Sequence, residues 1–251
     1  MARILSNETS LSRQQKKLGQ ESHVLKRLLW VEAGAAALLL LAGAVQVFLG
    51  RGTGFLWAGG ALGFLAYAHF LKTRQNAQDA QYMAAGLRGE NEVARILADG
   101  LDHSYYLYND LSIRSGFSRA QIDHLVVSPK GIFLLETKNW RGRLTGDEED
   151  RKWLQHRSPD QPPRPLNNPV LQNRRHVAVL EKFLQTGGVP AIPIVPMLVF
   201  TGRNTSIDIT NQKTLLMWPR ETVDYIQRYR PEKTWSDADV DAVLHRLQRC
   251  V

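Results

Sequence analysis

The sequence predicts an α/β protein, with a mixed central sheet flanked by helices and a two-helix transmembrane hairpin in front of it. Three observations lead to this prediction: two long apolar runs near the N-terminus, two short apolar runs joined by a tight turn, and amphipathic helical patterns around them. Helices and strands that alternate along one chain indicate a sheet covered by helices. The 251 residues give room for one ordinary domain and such an appendage.

The apolar runs at residues 28–49 and 54–71 have the length of membrane-spanning helices. The connection at 50–53 is so short that the second helix must return to the side from which the first one started. Six basic and two acidic residues lie in the N-terminal segment 1–27, so the positive-inside rule predicts that both termini face the cytoplasm. We therefore expect a lipid-bilayer anchor at 28–71 in the inner membrane of a bacterium, with the globular part in the cytoplasm.

A soluble explanation of the same two runs stays open, namely a buried helical hairpin in a helix bundle. It accounts more easily for the polar residues Glu32, Gln46 and His69 within the runs. Against it, helices that are apolar on all sides need lipid or a large core, and the rest of the chain is too short to supply one. A cleaved signal peptide is disfavoured, because a polar segment precedes the first run and a second run follows at once.

Beyond the hairpin, we expect a polar linker or helix at 72–85, a globular domain at 86–202 and an extension packed on that domain at 203–251. Helical spacing, short apolar runs and turn residues predict the elements of these parts. They are a helix at 87–101, strands at 105–111, 122–128 and 132–139, a charged loop at 147–165, a helix at 169–184, strands at 192–200 and 214–217, and helices at 219–228 and 237–249.

Cysteine usage and charge narrow the class of protein. The one cysteine, Cys250, excludes an internal disulfide and a cysteine-rich zinc site. Seven histidines are scattered without the paired spacing of a histidine-based metal site. The formal net charge of +8 favours an anionic partner, which is either nucleic acid or an anionic lipid surface.

The two short apolar runs carry a pair of carboxylates. If their turn is centred on residues 129–130, Asp123 lies directly opposite Glu136. By the same register Lys138 faces Gln121, so the four side chains form one polar patch. Two carboxylates with Cβ atoms about 4.5–5.5 Å apart suit a hard cation such as Mg²⁺. With a lysine to orient water, this is the set that phosphodiester hydrolysis requires. The alternative is a solvent-facing hairpin in which Lys138 makes a weak ion pair.

Five blocks of the chain occur in a recognisable order. They are 86–90 (GLRGE), 121–127 (QIDHLVV), 131–139 (GIFLLETKN), Trp153, and Asn168-Pro169 with Gln172. Together they resemble the nuclease-related domain, NERD, of the PD-(D/E)xK nuclease superfamily over roughly residues 86–202. The resemblance implies a restriction-endonuclease-like fold and metal-dependent cleavage of nucleic acid, although a nuclease fold does not by itself establish cleavage.

The resemblance also implies roles for the residues of the predicted hairpin. Asp123 and Glu136 would be the metal-binding carboxylates, with the Thr137 carbonyl as a third ligand, and the metal would be Mg²⁺ or Mn²⁺. Lys138 would be the catalytic lysine. All of these positions are filled in this sequence, which argues against a decayed site.

Two helical residues would assist this site. Glu90 would match the acidic residue of the first helix that can join the metal site, although Glu92 stays open as the alternative. On sequence alone, Glu90 also fits an acid favoured by the helix N-terminus. Gln172 matches a glutamine near the active site, and otherwise is a surface residue of its helix. Asn168-Pro169 is in itself a helix start.

Basic residues near the predicted site are candidates for phosphate contacts, each with a solvated surface charge as the alternative. They are Arg114, Arg119, Lys130, Arg141, Arg143, Arg174 and Arg175. Trp140 and Trp153 fit base stacking or, more commonly, burial in the core. Because no sequence-reading module is recognisable, we expect nucleic-acid recognition to be insensitive to sequence.

These observations support three hypotheses of different classes. The first is a membrane-anchored, Mg²⁺-dependent nuclease or nuclease-like protein that hydrolyses DNA phosphodiester bonds at the cytoplasmic face. The second is a noncatalytic membrane tether that binds nucleic acid through its basic surface. In the third, the basic segments serve only membrane topology and lipid contact. The filled carboxylate and lysine positions favour the first hypothesis.

Overall fold

The computed structural model of the protein describes residues 1–5 and 10–250. The chain divides into two compact units, of which one is Ser10–Ala85 and the other combines Met1–Thr9 with Gly86–Val251. Residues 6–9 of the predicted basic segment 1–27, and the last residue of the predicted extension 203–251, lie outside the described residues.

Both long apolar runs are helical. They lie in α1 (Ser10–Phe48) and in α2 (Gly54–Gly100). The stretches Val24–Phe48 and Gly54–Gly100 are long and apolar enough to cross a membrane, by length and composition alone. The two helices are therefore candidate membrane spans.

The two helices pack closely through glycine. A Cβ atom added to Gly43 would lie 2.7 Å from the backbone nitrogen of Leu56, and one on Gly59 would lie 2.8 Å from Cγ of Leu40. Small residues allow such close helix contact. Nδ1 of His69 lies 2.7 Å from Oε2 of Glu32, so two of the polar residues within the apolar runs are paired with each other.

The second helix is longer than the sequence predicts. Instead of a new helix opening at residues 89–92, α2 continues without interruption from the second apolar run to Gly100. The reason is that no proline lies between residues 54 and 100. Internal glycines such as Gly86 and Gly89 each weaken a helix by about 1 kcal/mol, which does not end it when the flanking residues are good helix formers.

Besides α1 and α2, the part of the chain that the structure describes contains ten strands and three further α-helices. The strands are β1 (Arg3–Ile4), β2 (Tyr106–Ser115), β3 (Ser118–Ser128), β4 (Gly131–Lys138), β5 (Gly142–Asp147), β6 (Lys152–His156), β7 (Arg164–Asn167), β8 (Ile194–Phe200), β9 (Thr205–Thr210) and β10 (Leu215–Met217). The helices are α3 (Pro169–Thr186), α4 (Pro219–Arg228) and α5 (Asp237–Leu247), which a short 3₁₀ turn follows.

The central sheet has six strands in the order β1-β2-β3-β4-β8-β10. β2, β3 and β4 are antiparallel neighbours, whereas the β1–β2, β4–β8 and β8–β10 pairs are parallel. The sheet is thus mixed, as predicted. One face packs on residues of α2 and α4, such as Leu97 and Ile226, and the other packs on residues of α3 and α5, such as Leu180 and Val243.

The predicted hairpin register is confirmed. Ser128 pairs with Gly131, and the register continues through Val127–Ile132 and Val126–Phe133 to His124–Leu135. The turn is therefore centred on Pro129 and Lys130. β3 begins earlier than predicted, at Ser118, because residues 118–122 extend the hairpin that β3 forms with β2.

A second sheet, with the strand order β7-β6-β5-β9, replaces the charged loop predicted at 147–165. Trp153 and Gln155 of β6 are buried, whereas Lys152 and Leu154 are exposed. This alternation is short and contains few apolar residues, so its strand pattern is weak in the sequence. Trp153 is fully buried with Leu144, so the core explanation of this tryptophan is the one that holds.

Asn168 connects the second sheet to α3. Its side-chain oxygen accepts the N–H of Val170 at 2.8 Å, and Pro169 occupies the first helical turn. Its Nδ2 donates to the main-chain oxygens of Glu148 at 2.8 Å and Asp150 at 2.7 Å. The Asn-Pro pair is therefore a helix start, as predicted, and it also fixes the β5–β6 turn.

We predict that Asn168→Ala lowers the free energy of unfolding by about 2–4 kcal/mol, because it removes an N-cap and the side-chain donor to the carbonyls of Glu148, which is buried, and Asp150. Asn168→Ser retains a capping oxygen and should lose less. Asn167→Ala, at the exposed neighbouring position, is the matched control. Urea unfolding in mild detergent, followed by tryptophan fluorescence, would measure all three. Equal stability of Asn168→Ala and the control would refute this role.

Candidate active site

Asp123 stands where the regular β3–β4 ladder ends. The last regular pair is His124–Leu135, and one residue further Oδ2 of Asp123 accepts the main-chain N–H of Thr137 at 2.8 Å. Asp123 is half-buried, and Glu136 is only 1% exposed. The structure thus brings the two carboxylates of the predicted pair together. The contact seen for Thr137 is through its N–H, whereas the prediction concerned its carbonyl.

Glu136 is the centre of a hydrogen-bonded cluster. Its Oε1 accepts from Nζ of Lys138 at 2.5 Å and from Nε2 of Gln172 at 2.7 Å. Lys138 Nζ also donates to Oε1 of Gln172 at 3.2 Å. Strand β4 supplies the first two residues, and the first turns of α3 supply Gln172. The capped start of α3 therefore determines where this amide lies.

His176 reaches the second oxygen of the same carboxylate. It lies one turn after Gln172 and is 8% exposed. Its Nδ1 is 3.2 Å from Oε2 of Glu136 but lacks the alignment of a hydrogen bond, so within the described residues both atoms are buried without a hydrogen-bond partner. The spacing Gln172-x-x-x-His176 on a predicted helix was the sequence signal that could have placed this residue in the site.

Neighbouring charges separate the pKa values of the two carboxyls, which burial alone would raise together. Burial, and next the charge of Glu136, raise the pKa of Asp123 well above its usual range. Burial also raises the pKa of Glu136, but Lys138 and His176 lower it by more, so the net shift is downward. Burial lowers the pKa of Lys138, but Glu136 and Asp123 raise it above its ordinary value. Glu136 and Lys138 thus form an ion pair, beside a carboxyl that resists ionisation.

Glu90, rather than Glu92, belongs to this cluster. Glu90 is half-buried, and burial followed by the charges of Asp110 and Glu136 raises its pKa to about 7, although Lys138 lowers it. Glu92 is exposed. The preceding glycine permits this placement, because a Cβ atom on Gly89 would lie 2.5 Å from Oγ1 of Thr201.

Asp110 is an acidic residue that the sequence analysis did not include. Its φ of 53° places it in the left-handed region, and it lies within β2 between the Asn109–His124 and Leu111–Ile122 pairs. Aspartate is one of the few residues that tolerate this conformation. The adjacent polar pair Asn109-Asp110 within an apolar strand was the available signal.

Gln121 does not join Lys138 as the predicted polar patch requires. It pairs with Ser112 of β2, and its Nε2 donates to Oδ1 of Asp110 at 2.7 Å. The physical reason is that the regular ladder between β3 and β4 stops at His124, so β3 residues before Asp123 have no partner on β4 in the pairing. The predicted opposition of Gln121 and Lys138 is therefore wrong.

The predicted phosphate contacts are scattered, and several are already engaged. Lys130 is at the turn end of the β3–β4 hairpin, where its Nζ donates to the carbonyl of Gln227. Arg143 pairs with Asp208, and Arg174 pairs with Glu148 and Glu149. The other four predicted residues are exposed: Arg114, Arg119, Arg141 and Arg175. Trp140 lies beside the cluster, with Lys138 Nζ 5.9 Å from its ring centroid.

The donors of the cluster fit a hard divalent cation in chemistry. Within residues 1–5 and 10–250, no three His, Cys, Asp or Glu side chains form a ready-made metal group. However, Oε2 of Glu136 is a buried carboxylate oxygen without a hydrogen-bond partner among the described residues. Asp123 and Glu90 stand beside it with raised pKa values. A divalent cation would offset their repulsion, and oxygen donors are what Mg²⁺ prefers.

Comparison with known proteins identifies the part of the chain in which this site lies. Residues 85–201 match the family model of NERD, the nuclease-related domain. The match supports a nuclease-related domain in this part of the chain. An uncharacterized protein of Bacillus anthracis is 24% identical over 169 residues, which is 65% of this chain and 76% of that relative. No solved structure matches significantly. The segment 85–201, here called the NERD segment, contains Glu90, Asp123, Glu136, Lys138 and Gln172.

The raised pKa of Glu90 predicts a pH-dependent stability. Between its ordinary pKa of 4.5 and its folded pKa of about 7, the folded state binds more protons than the unfolded state. The stabilisation by the protonated carboxyl is therefore complete below pH 4.5 and is lost as the pH rises through about 7. We expect Glu90→Gln and the wild type to be similarly stable at low pH and Glu90→Gln to be the more stable above pH 7.

Chemical unfolding in EDTA over a pH series from about 4.5 to 8 would measure this difference. Glu92→Gln, which changes an exposed acid two residues away, is the matched control. A stability difference between Glu90→Gln and the wild type that does not change with pH would contradict the prediction.

Proposed function

We propose that this protein is a membrane-anchored nuclease-like protein that hydrolyses the phosphodiester bonds of DNA with Mg²⁺. The observation that carries the proposal is the environment of Glu136: a buried carboxylate held by Lys138 and Gln172 and placed beside Asp123, within the NERD segment. A restriction-endonuclease-like fold is part of the same proposal. The mixed central sheet with helices on both faces supports it.

Three groups would hold the metal ion. Asp123 and Glu136 would supply carboxylate oxygens, and Thr137 would supply its main-chain carbonyl. Bound there, Mg²⁺ or Mn²⁺ would neutralise phosphate charge and make a coordinated water more acidic. Glu90 would contribute a further oxygen from α2, because its carboxyl interacts electrostatically with both Asp110 and Glu136.

The charge and the position of Lys138 Nζ suit an interaction with water or phosphate. Its pKa is raised by Glu136 and Asp123 despite burial, so Nζ carries a proton and a positive charge at neutral pH. Glu136 and Gln172 fix Nζ from two directions. In that position Nζ would orient the attacking water or stabilise negative charge that develops on a phosphate oxygen. Gln172 positions this lysine because its amide contacts both members of the ion pair.

A specific observation also favours the noncatalytic tether. Lys138 already satisfies one oxygen of Glu136, and the acidic side chains of the described residues are not gathered into a metal group. A protein with this arrangement would use its net charge of +8 to bind nucleic acid without cleaving it. Activity and binding must therefore be measured separately.

The membrane anchor is supported by the exposure of the apolar helices. Only 11% of the most apolar window of each candidate span is buried, and large side chains such as Trp30, Phe48 and Trp57 are exposed. The helices of a soluble bundle would bury these residues. We therefore place residues 28–71 in the lipid bilayer as part of the proposal.

The N-terminal strand supports the hairpin topology. Arg3 of β1, before the first candidate span, pairs with Tyr106 of β2, after the second one. Main-chain bonds join the two strands, from the N–H of Arg3 to the oxygen of Tyr105 at 3.0 Å and from the N–H of Leu5 to the oxygen of Leu107 at 2.8 Å. This pairing supports a hairpin in which the chain before the first span and the NERD segment would lie on one side of the bilayer, and by the positive-inside rule that side would be the cytoplasm.

We predict that the full-length protein in mild detergent cuts plasmid or linear DNA in Mg²⁺ or Mn²⁺ but not in EDTA. Asp123→Asn, Glu136→Gln and Lys138→Ala should each reduce the rate by about 100-fold or more, because each removes a metal ligand or the oriented cation. Gel assays with plasmid, linear DNA and RNA would measure the rates and the substrate preference.

Two adjacent exposed residues of α3, Glu181 and Lys182, give matched controls. Glu181→Gln and Lys182→Ala make the same chemical changes away from the cluster and should keep wild-type rates. Cleavage that persists in Glu136→Gln would refute the site. DNA binding without cutting under every condition would favour the tether.

For the anchor, we predict that alkaline carbonate leaves the full-length protein in the membrane pellet and that detergent releases it. Cys250, the single cysteine, should react with a membrane-impermeant maleimide only after cells are permeabilised. Thr53→Cys in a Cys250→Ser background places the thiol in the predicted outer turn and should react in intact cells. Release by carbonate would contradict the anchor.

A further inference from the structure

The β2–β3 hairpin ends in a fully exposed aromatic side chain. Ser115 pairs with Ser118, so Gly116 and Phe117 form the two-residue turn, with Gly116 at a φ of 59°. Phe117 has a relative exposure of 112%, the highest among the large hydrophobic residues that the structure describes. A single exposed apolar residue is ordinary. The residues around Phe117 indicate that its exposure has a function.

Two arginines lie directly opposite each other beside this turn. Arg114 of β2 pairs with Arg119 of β3, and both are exposed. Nε of Arg119 donates to Oγ of Ser112 at 3.2 Å, and among the described residues neither arginine forms an ion pair. Like charges directly opposite in a sheet are destabilising. A bound anion between the two side chains would remove that cost.

The same side of the hairpin leads to the carboxylate cluster. Ser112 and Gln121 form the next exposed pair, whereas Ile113 and Ala120 between the exposed pairs are buried. From there Gln121 donates to Asp110, whose charge acts on Glu90 of the cluster. A continuous polar strip therefore connects the paired arginines with the site.

We propose that this hairpin is a nucleic-acid-binding arm: Phe117 stacks on a base, and Arg114 and Arg119 bind phosphates of a strand that runs along the polar strip to the carboxylates. The proposal rests on the proposed function, since it names how the same substrate would be held. Asp123 lies four positions after Arg119 on β3, about 13 Å at the rise of a β-strand. That length corresponds to about four stacked nucleotides.

The arm fits nucleic acid better than a lipid surface. One aromatic ring provides little apolar area for insertion into a bilayer, but it provides one stacking platform. The strip behind the ring consists of hydrogen-bonding and cationic side chains, which match the sugar-phosphate backbone.

The test measures binding apart from cleavage. The full-length protein in nanodiscs of zwitterionic lipid is titrated into a fluorescein-labelled single strand of 20 thymidines in EDTA, and anisotropy gives Kd. Phe117→Ala should weaken binding about tenfold, and Phe117→Tyr should restore it, because the ring rather than the exact residue stacks. Arg114→Ala with Arg119→Ala should flatten the slope of log Kd against log salt by about 1.4 for two lost phosphate contacts.

Matched variants separate the arm from general surface effects. Leu154→Ala truncates an exposed apolar residue of β6, and Lys182→Ala with Arg228→Ala removes two exposed cations from other elements. Both should bind the strand like the wild type. Phe117→Ala should leave the salt slope unchanged, which distinguishes stacking from charge. A strand with 2-aminopurine bases should lose fluorescence on binding to the wild type and not to Phe117→Ala.

Binding that is equal in Phe117→Ala, the double arginine variant and the wild type would overturn the arm. The arm would also be overturned if these variants bind DNA normally and lose only their co-flotation with vesicles of phosphatidylcholine and phosphatidylglycerol. That result would show that the tip contacts lipid. The nuclease proposal can fail independently of the arm. If the protein binds DNA through the tip but never cuts it, the arm is supported and the nuclease is refuted. If the protein cuts DNA while Phe117→Ala and the double arginine variant bind normally, only the nuclease is supported.

Discussion

The NERD segment depends on one interaction, in which the buried, ionised carboxylate of Glu136 accepts hydrogen bonds from Lys138 and Gln172. At 1% exposure, a carboxylate without partners would cost several kcal/mol. Its partners come from two directions: Lys138 follows it on the same strand, and α3 brings Gln172 and His176. The central place of β4 in the sheet excludes water, and α3 supplies the polar groups that this exclusion makes necessary.

The second sheet holds α3 in register with that carboxylate. Asn168 caps the helix and ties it to the β5–β6 turn, and Glu148 of this turn is buried and accepts main-chain N–H groups of Lys213 and Thr214. Asn173, one residue beyond Gln172, donates to the main-chain oxygen of Met197 in the central sheet. The helix is thereby fixed between the two sheets, so an error in either one would move the amide that contacts Glu136.

The sequence predicts best those structural features that depend on residues close together in the chain. The β3–β4 register follows from one turn sequence, and the start of α3 follows from Asn168-Pro169. Contacts between distant segments were not predictable. Lys152–His156 is a strand that pairs with β5 and β7, and Asp110, with its left-handed conformation within β2, accepts from Gln121 of β3. Helical spacing cannot choose between Glu90 and Glu92, because the choice depends on what packs on each side of α2. The chemical roles of the site residues remain predictions.

The N-terminal strand makes the central sheet depend on a long-range contact. β1 precedes both apolar helices in the chain, but the residue with which Arg3 bonds, Tyr106, follows 103 positions later. Their pairing closes a loop that contains both apolar helices, and until it closes β2 keeps an open edge that invites misassociation. The central sheet is therefore completed only by a pairing that spans the whole helical unit in sequence, so the edge of β2 depends on residues that lie on the other side of that unit in the chain.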